Sequence, residues 1–224
     1  MTNSILSGTP ESWTRLPVQT LFSLSKPELD SLQLHWAQTR FQQLQERIPA
    51  LDALAEKQGV KIITDFETLA TILFTHQVYK NYPFAFIERK LFTELTRWLN
   101  KLTAHDLSTL DMRGVNTIDE WLTRLDDAGM FVFHSTGTSG KLSFFPRSQT
   151  EKEAWVEGTY TFLEAFMPGI RDLHLPVFWP AYRSGRQASM RLITHFGPAL
   201  AGGEAEYHSL FNAPMSADFM SLAM

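Results

Sequence analysis

The residues best suited to chemistry in this chain lie in one short polar segment between two apolar runs. The segment contains, in order, His134, Ser135, Thr136, Gly137, Thr138, Ser139, Gly140, Lys141, Leu142 and Ser143. Glycine lets a backbone approach a ligand closely and adopt positive φ. Loop N–H groups, hydroxyl groups and an ammonium group can then all direct donors at one anion. The sequence therefore predicts a loop that binds phosphate.

The spacing excludes a Walker-type phosphate loop. That motif has four residues between its first glycine and the Gly-Lys pair, and Ser135 stands where the glycine is required. It also needs a helix that begins at the lysine, whereas Lys141 is followed by an aromatic run that ends at Pro146. Because residues 130–133 are also apolar, we predict a strand, a polar loop and a second strand.

The run from Ser135 to Lys141 resembles the Ser/Thr/Gly-rich signature of the adenylate-forming superfamily. That superfamily includes acyl-CoA synthetases, phenylacetate-CoA ligases and acyl-protein synthetases. The resemblance implies that residues 135–141 hold the phosphates of ATP, with Mg²⁺, while a carboxylic acid becomes an acyl adenylate. It also implies transfer of the acyl group to a thiol such as coenzyme A, or to a protein.

Two features depart from the family pattern. The family usually continues its lysine with Pro-Lys, whereas this chain has Leu142-Ser143, so one positive charge is missing. Arg147 is a candidate for partial compensation. The family's later motifs for adenine, for ribose and for a late lysine do not occur before Met224. We therefore expect the N-terminal part of a longer ligase, inactive by itself.

Three aromatic or imidazole side chains are candidates for contact with the acid. His134 directly precedes the loop, and Trp179 and Tyr182 lie in a segment that loosely resembles the family strand leading to the acyl pocket. Core packing is the alternative for all three. No catalytic residue is identified. The seven histidines lack the paired spacing of a metal site, so no metal site made of side chains is expected.

Two other function classes remain open. One is a non-catalytic α/β module that binds a protein partner through the loop. The other is a relative that binds a nucleotide without catalysing a reaction, which is suggested by Ser143 at the usual lysine position.

Composition limits the partners and the compartment. The 224 residues carry a formal net charge of −4 without a Lys/Arg run, which gives no electrostatic reason to expect nucleic acid or an anionic membrane. Cysteine is absent, which excludes disulfides and thiolate sites. No apolar run approaches the roughly 18 residues of a membrane span. We predict a cytoplasmic protein.

Capping patterns and apolar spacing predict the elements that position the loop. Capping boxes are expected at Ser25, Thr64, Thr117 and Ser148, each before an amphipathic segment. Gly59 and Gly129 are suited to end helices in left-handed caps. Residues 1–24 have no sustained period and are interpreted as an arm over the domain.

The predicted fold class is α/β. A mainly helical region, residues 1–129, leads into residues 130–224, where a sheet flanked by helices carries the loop. The second region is expected to continue the same domain, as an incomplete portion of the large domain of an adenylate-forming enzyme.

Overall fold

The computed structural model describes residues 8–137 and 140–222, so Thr138 and Ser139 of the predicted loop lie outside the described residues. The mixed α/β class is confirmed, with more helix than strand. None of the helices in these two ranges combines the length and the apolar character needed to cross a bilayer.

The first half of the chain is helical, as predicted. Its helices are α1 Pro10–Trp13, α2 Val18–Phe22, α3 Lys26–Leu44, α4 Pro49–Gln58, α5 Phe66–Thr71, α6 Ala85–Glu88, α7 Phe92–Leu99 and α8 Ile118–Asp127. The N-terminal arm contains α1 and α2, which the sequence analysis did not predict. It is attached to the later part of the chain through Thr161, whose hydroxyl donates to the carbonyl of Thr14.

Most of the capping signals act where they were expected. The Glu28 carboxylate accepts from the Ser25 backbone N–H at 2.9 Å, and Gly59 ends α4 with φ 69°. One prediction is wrong: α5 is capped by Asp65 and not by Thr64. The Asp65 carboxylate accepts from the Thr68 N–H at 2.7 Å, because its extended backbone turns the side chain onto the first helical turn.

The second half begins with the predicted strand, loop and strand. Strands β1 Phe131–His134 and β2 Phe144–Arg147 pair antiparallel, with Phe133 opposite Phe145 and His134 opposite Phe144. Helix α9 Gln149–Phe166 follows, capped by Ser148 as expected.

The remaining elements form a strand–helix–strand unit. They are β3 Val177–Gly185, α10 Ala188–Ala201, β4 Tyr207–Met215 and the final helix α11 Ala217–Leu222. β3 and β4 pair in parallel, so the described strands form two separate two-stranded sheets. One isolated bridge, between His134 and Gln187, connects the end of β1 to the residues after β3.

The main core spans both halves of the chain. Trp121 of α8 lies at its centre with no exposed surface, and its indole N–H donates to the Thr96 hydroxyl at 2.8 Å. Leu95 of α7, Val132 of β1 and Phe144 of β2 are buried in the same cluster. The hairpin that carries the loop is therefore fixed to the helical region through one of its faces.

Two carboxylates connect the N-termini of α8 and α11. Asp218 accepts from the N–H groups of Ile118 and Asp119 at 2.8 and 2.9 Å. Asp119 in turn accepts from Ala217 N–H at 3.1 Å and from the Ser216 hydroxyl. Each acidic side chain thus satisfies backbone donors at the start of the other helix.

Candidate phosphate-binding site

The hairpin places the loop at the end of two strands whose faces differ. Val132 and Phe144 point into the main core, while Phe133 and Phe145 lie on the opposite face. The Phe133 ring packs against Trp155 of α9, with ring centres 4.7 Å apart. Because side chains alternate along each strand, the hairpin packs against the core on one face and against α9 on the other. Its turn lies at the molecular surface.

Ser135 and Ser143 close the base of the loop. The Ser135 N–H donates to the Ser143 carbonyl at 3.0 Å, and the Ser143 N–H donates to the Ser135 hydroxyl oxygen at 2.9 Å. The Ser135 hydroxyl thus accepts a structural hydrogen bond, and among the described residues its own proton has no acceptor.

Two glycines shape the described part of the turn. Gly137 and Gly140 have φ of 75° and 83°, in the left-handed region that favours glycine. The Gly140 N–H donates to the Gly137 carbonyl at 2.8 Å. Thr136 and Gly140 are exposed, and no atom lies within 4 Å of the position that a Gly140 Cβ would take. The backbone at Gly140 is therefore open to an approaching ligand, whereas Gly137 is buried.

Lys141 lies at the inner end of the loop. Its ammonium group is 4.0 Å from the centre of the Tyr82 ring and donates to the Tyr82 carbonyl. Burial lowers the pKa of Lys141, and the nearby charge of Lys80 lowers it further. No helix begins at this lysine, in agreement with the prediction of a strand. The charge of Lys80 therefore acts on Lys141 at this end of the loop.

Neither Lys80 nor the role of Tyr82 was predicted from the sequence. Tyr82 belongs to a segment around Pro83 that is rich in aromatic residues. The Tyr82 hydroxyl donates to the Leu142 carbonyl at 2.9 Å, and its ring packs against Phe144 with centres 5.5 Å apart. Burial raises the pKa of Tyr82 strongly, so the phenol stays protonated. The high density of aromatic residues was the feature of the sequence that could have predicted this segment as the packing partner of the loop.

His134 is buried, with 1% of its surface exposed. Its Nδ1–H donates to the Ser135 carbonyl at 2.9 Å, and within the described residues its buried Nε2 has no partner. Burial lowers the pKa of His134, which favours the neutral ring. This ring supports the base of the loop from the core side, and its contact with a substrate stays a prediction.

The other candidates lie farther along the chain. Arg147 is opposite Phe131, at the end of the hairpin remote from the loop, and forms an ion pair with Glu151 at 3.8 Å. It therefore does not supply the missing charge. Trp179 and Tyr182 lie within β3, where the Tyr182 ring packs against Phe211 of β4 with centres 4.9 Å apart.

A cavity of about 750 Å³ lies along the outer face of the hairpin. Phe133, Phe145 and Trp155 form apolar parts of its wall. The pair formed by Phe133 and Phe145 is separated from the loop only by the pair formed by His134 and Phe144. The cavity thus begins beside the base of the loop.

No protein-family model matches this chain, and neither a curated protein nor a solved structure was found to match it. The chemistry of the site therefore has to be inferred from its own residues.

Proposed function

We propose that residues 135–141, together with Lys80, bind the phosphates of ATP, and that the chain is part of an acid-activating ligase. The observation that supports this most is the hairpin turn itself. It combines two left-handed glycines, of which Gly140 is exposed, with the Lys141 ammonium group, whose pKa is lowered by the charge of Lys80.

Electrostatics favours an anion at this position. The charges of Lys80 and Lys141 repel each other, and a phosphate group bound by both would offset that repulsion by two attractions. A hydrogen bond to a charged group contributes about 1.5–3 kcal/mol. Lys80 comes from a 3-10 turn, Val78–Lys80, and can supply the positive charge that the family has after its lysine.

The reaction needs little acid–base chemistry from the protein. A carboxylate oxygen of the acid attacks the α-phosphorus of ATP, and pyrophosphate leaves. The loop amides, the hydroxyls and the two lysines position the phosphates and offset the charge on their oxygens. The apolar cavity beside the hairpin is where we infer the body of the acid to lie. The acyl group would then pass to a thiol such as coenzyme A, or to a protein.

Mg²⁺ fits this site only as a partner of the phosphates. In the ranges that the structure describes, no three His, Cys, Asp or Glu side chains are grouped to hold a metal ion. Mg²⁺ is commonly bound through substrate phosphate oxygens and water with few protein ligands. Bound in this way, it would supply further charge neutralisation.

A nucleotide-binding protein without ligase activity is the second candidate. The observation that favours it is the position of Lys141, whose ammonium group is held by the carbonyl and the ring of Tyr82. In such a protein ATP would bind, but a carboxylic acid would not be activated.

Calorimetric titration with ATP and Mg²⁺ tests the binding site. We expect Lys80→Gln and Lys141→Gln each to weaken binding about tenfold, the effect of losing roughly 1.4 kcal/mol. Lys57→Gln, an exposed lysine on α4, is the matched control and should leave binding unchanged. Equal affinity of all variants would overturn the proposal.

Exchange of pyrophosphate into ATP in the presence of carboxylic acids separates the two candidates. Exchange that depends on the acid and is lost in Lys141→Gln supports the ligase. Binding of ATP by the full-length protein without such exchange supports the nucleotide-binding alternative.

A further inference from the structure

A second concentration of positive charge lines a cavity of about 520 Å³. Its walls include Asp126 of α8, Lys152 of α9, Arg191 of α10, Gly185 of β3 and Met215 of β4. The described loop residues, 135–137 and 140–141, do not line it. It is therefore separate from the proposed ATP site.

The cavity lies where parallel α/β units commonly bind ligands. It is bounded by the carboxyl ends of β3 and β4 and by the first turns of α10. Helix α10 begins after Gln187, whose side chain accepts from the Met190 N–H. The N-terminal end of this helix adds partial positive charge near the cavity.

Three cationic side chains from different elements surround the cavity. Arg186 Nε and Arg191 Nη2 share the Asp126 carboxylate, at 3.0 and 2.8 Å. Lys152 has its ammonium group 4.1 Å from the centre of the Phe131 ring, and the Arg191 guanidinium lies over the same ring. Among the described residues, Lys152 forms no ion pair.

The acidic residues of the cavity neutralise only part of this charge. One carboxylate, Asp126, forms ion pairs with two guanidinium groups. The other, Asp119, accepts hydrogen bonds from Ser216, Ala217 and Asp218 at the start of α11 and keeps its negative charge. The imidazole of His195 adds no anionic charge, and burial followed by the Lys152 charge lowers its pKa. Three cations and two carboxylates line the cavity, so an excess of one positive charge remains, and Lys152 is the cation that has no ion pair in the described residues.

We propose that this cavity binds a phosphate group, either as inorganic phosphate or as the monoester end of a larger molecule. Its cations come from α9, from the turn before α10 and from α10 itself. A phosphate group offers three or four oxygens to donors on different elements, whereas a carboxylate offers two. The hydroxyl group of Ser184 lines the same space and can donate to a phosphate oxygen. The hydroxyls of Thr194 and Ser216 also line it, but they donate to the Met190 carbonyl and to Asp119.

Competitive lysine acetylation, quantified by mass spectrometry, tests this site. The full chain is treated with a limiting amount of an acetylating reagent in sodium chloride, sodium phosphate, sodium acetate or glycerol 3-phosphate, at equal ionic strength. We expect phosphate or the monoester to slow acetylation of Lys152 severalfold relative to chloride, with Lys57 unchanged. The more effective of the two identifies the source of the phosphate group.

Two results would overturn the proposal. One is equal acetylation of Lys152 in phosphate and in chloride, and the other is equal protection by acetate. A second measurement is the rise in melting temperature with phosphate over chloride, which should disappear in Lys152→Gln and persist in Lys57→Gln. Lys152 forms no ion pair in the described part of the chain, so its replacement should leave the fold intact.

The same acetylation data keep the two proposals apart. ATP with Mg²⁺ should protect Lys141 if the loop binds triphosphate. Protection of Lys152 but not of Lys141 by ATP would support the cavity and contradict the loop. Protection of Lys141 by ATP, with no anion protecting Lys152, would support the loop and contradict the cavity.

Discussion

Two parts of the Tyr82 side chain contact the residues at the end of the loop. The Lys141 ammonium group lies over its ring, and its hydroxyl donates to the Leu142 carbonyl. We predict that Tyr82→Phe lowers the free energy of unfolding by about 1–3 kcal/mol, because it leaves a buried carbonyl without a donor. Urea unfolding measures this change.

The matched control for that variant is Tyr182→Phe. Tyr182 is partly exposed and its described contact is through the ring, against Phe211. Its replacement should change the stability little. An equally small effect of Tyr82→Phe would show that the Leu142 carbonyl is not held as described.

His134 makes the stability depend on pH. Burial lowers its pKa below the ordinary value of 6.5, so the unfolded chain binds more protons than the native protein as the solution is acidified. The free energy of unfolding should therefore fall as the pH drops from about 7.5 through 6.5 and below. His134→Asn, which keeps an N–H donor for the Ser135 carbonyl, should flatten that fall.

Urea unfolding at several pH values measures the slope. His195 also has a lowered pKa, chiefly through burial, so His195→Asn serves as the comparison. Since His195 is exposed and His134 is buried, the larger flattening should come from His134. A slope that His134→Asn leaves unaltered would contradict this account of the imidazole.

Individual residues were predictable where the chemistry is local. The glycines of the turn and the closing strands follow from the residue types between His134 and Pro146. Lys80 and Tyr82 were missed because they come within reach of Lys141 only through the packing of Tyr82 on Phe144, a long-range contact that spacing along the chain does not reveal.

At the scale of elements, α10 depends on close contact between a glycine and a ring. A Cβ on Gly197 would lie 2.5 Å from the Tyr207 ring of β4. We predict that Gly197→Ala lowers the free energy of unfolding by about 1–3 kcal/mol, because overpacking outweighs the gain in helix propensity. Thermal or urea unfolding measures the difference.

Gly158 is the matched control in α9. A Cβ there would lie 3.7 Å from Thr14, an ordinary contact. Gly158→Ala should therefore stabilise the protein by about 0.5–1 kcal/mol. If both alanines stabilise, the packing of α10 on β4 is looser than described.

Elements were predictable where capping and amphipathic spacing agreed, as at α3, α8 and α9. Helix α10 and strand β4 were not predicted. Pro198 lies inside α10, and β4 is mostly exposed with Pro214 near its end, so neither segment shows the usual pattern of its element. Contacts with distant residues stabilise them, such as the close approach of Gly197 to the Tyr207 ring and the hydrogen bond from the Leu175 N–H to the Leu200 carbonyl at 3.2 Å.

At the scale of the whole molecule, positive charge is local in a protein whose formal net charge is −4. The charge of Lys80 acts on Lys141 beside the loop. A second group, formed by Lys152, Arg186 and Arg191, lines the cavity at the ends of the parallel strands. The net charge gave no indication of an anionic partner, because it sums the charges of the whole chain and does not show where they cluster. Only the fold brings together cations that are separated in the chain.

The measurement that tests the central claim most directly is a titration with ATP and Mg²⁺ followed by NMR of glycine-labelled protein. We predict that the amide signals of Gly137 and Gly140 shift in a saturable way, while those of Gly59 and Gly114, which also have positive φ, stay in place. Unchanged Gly137 and Gly140 signals at saturating ATP would contradict the account.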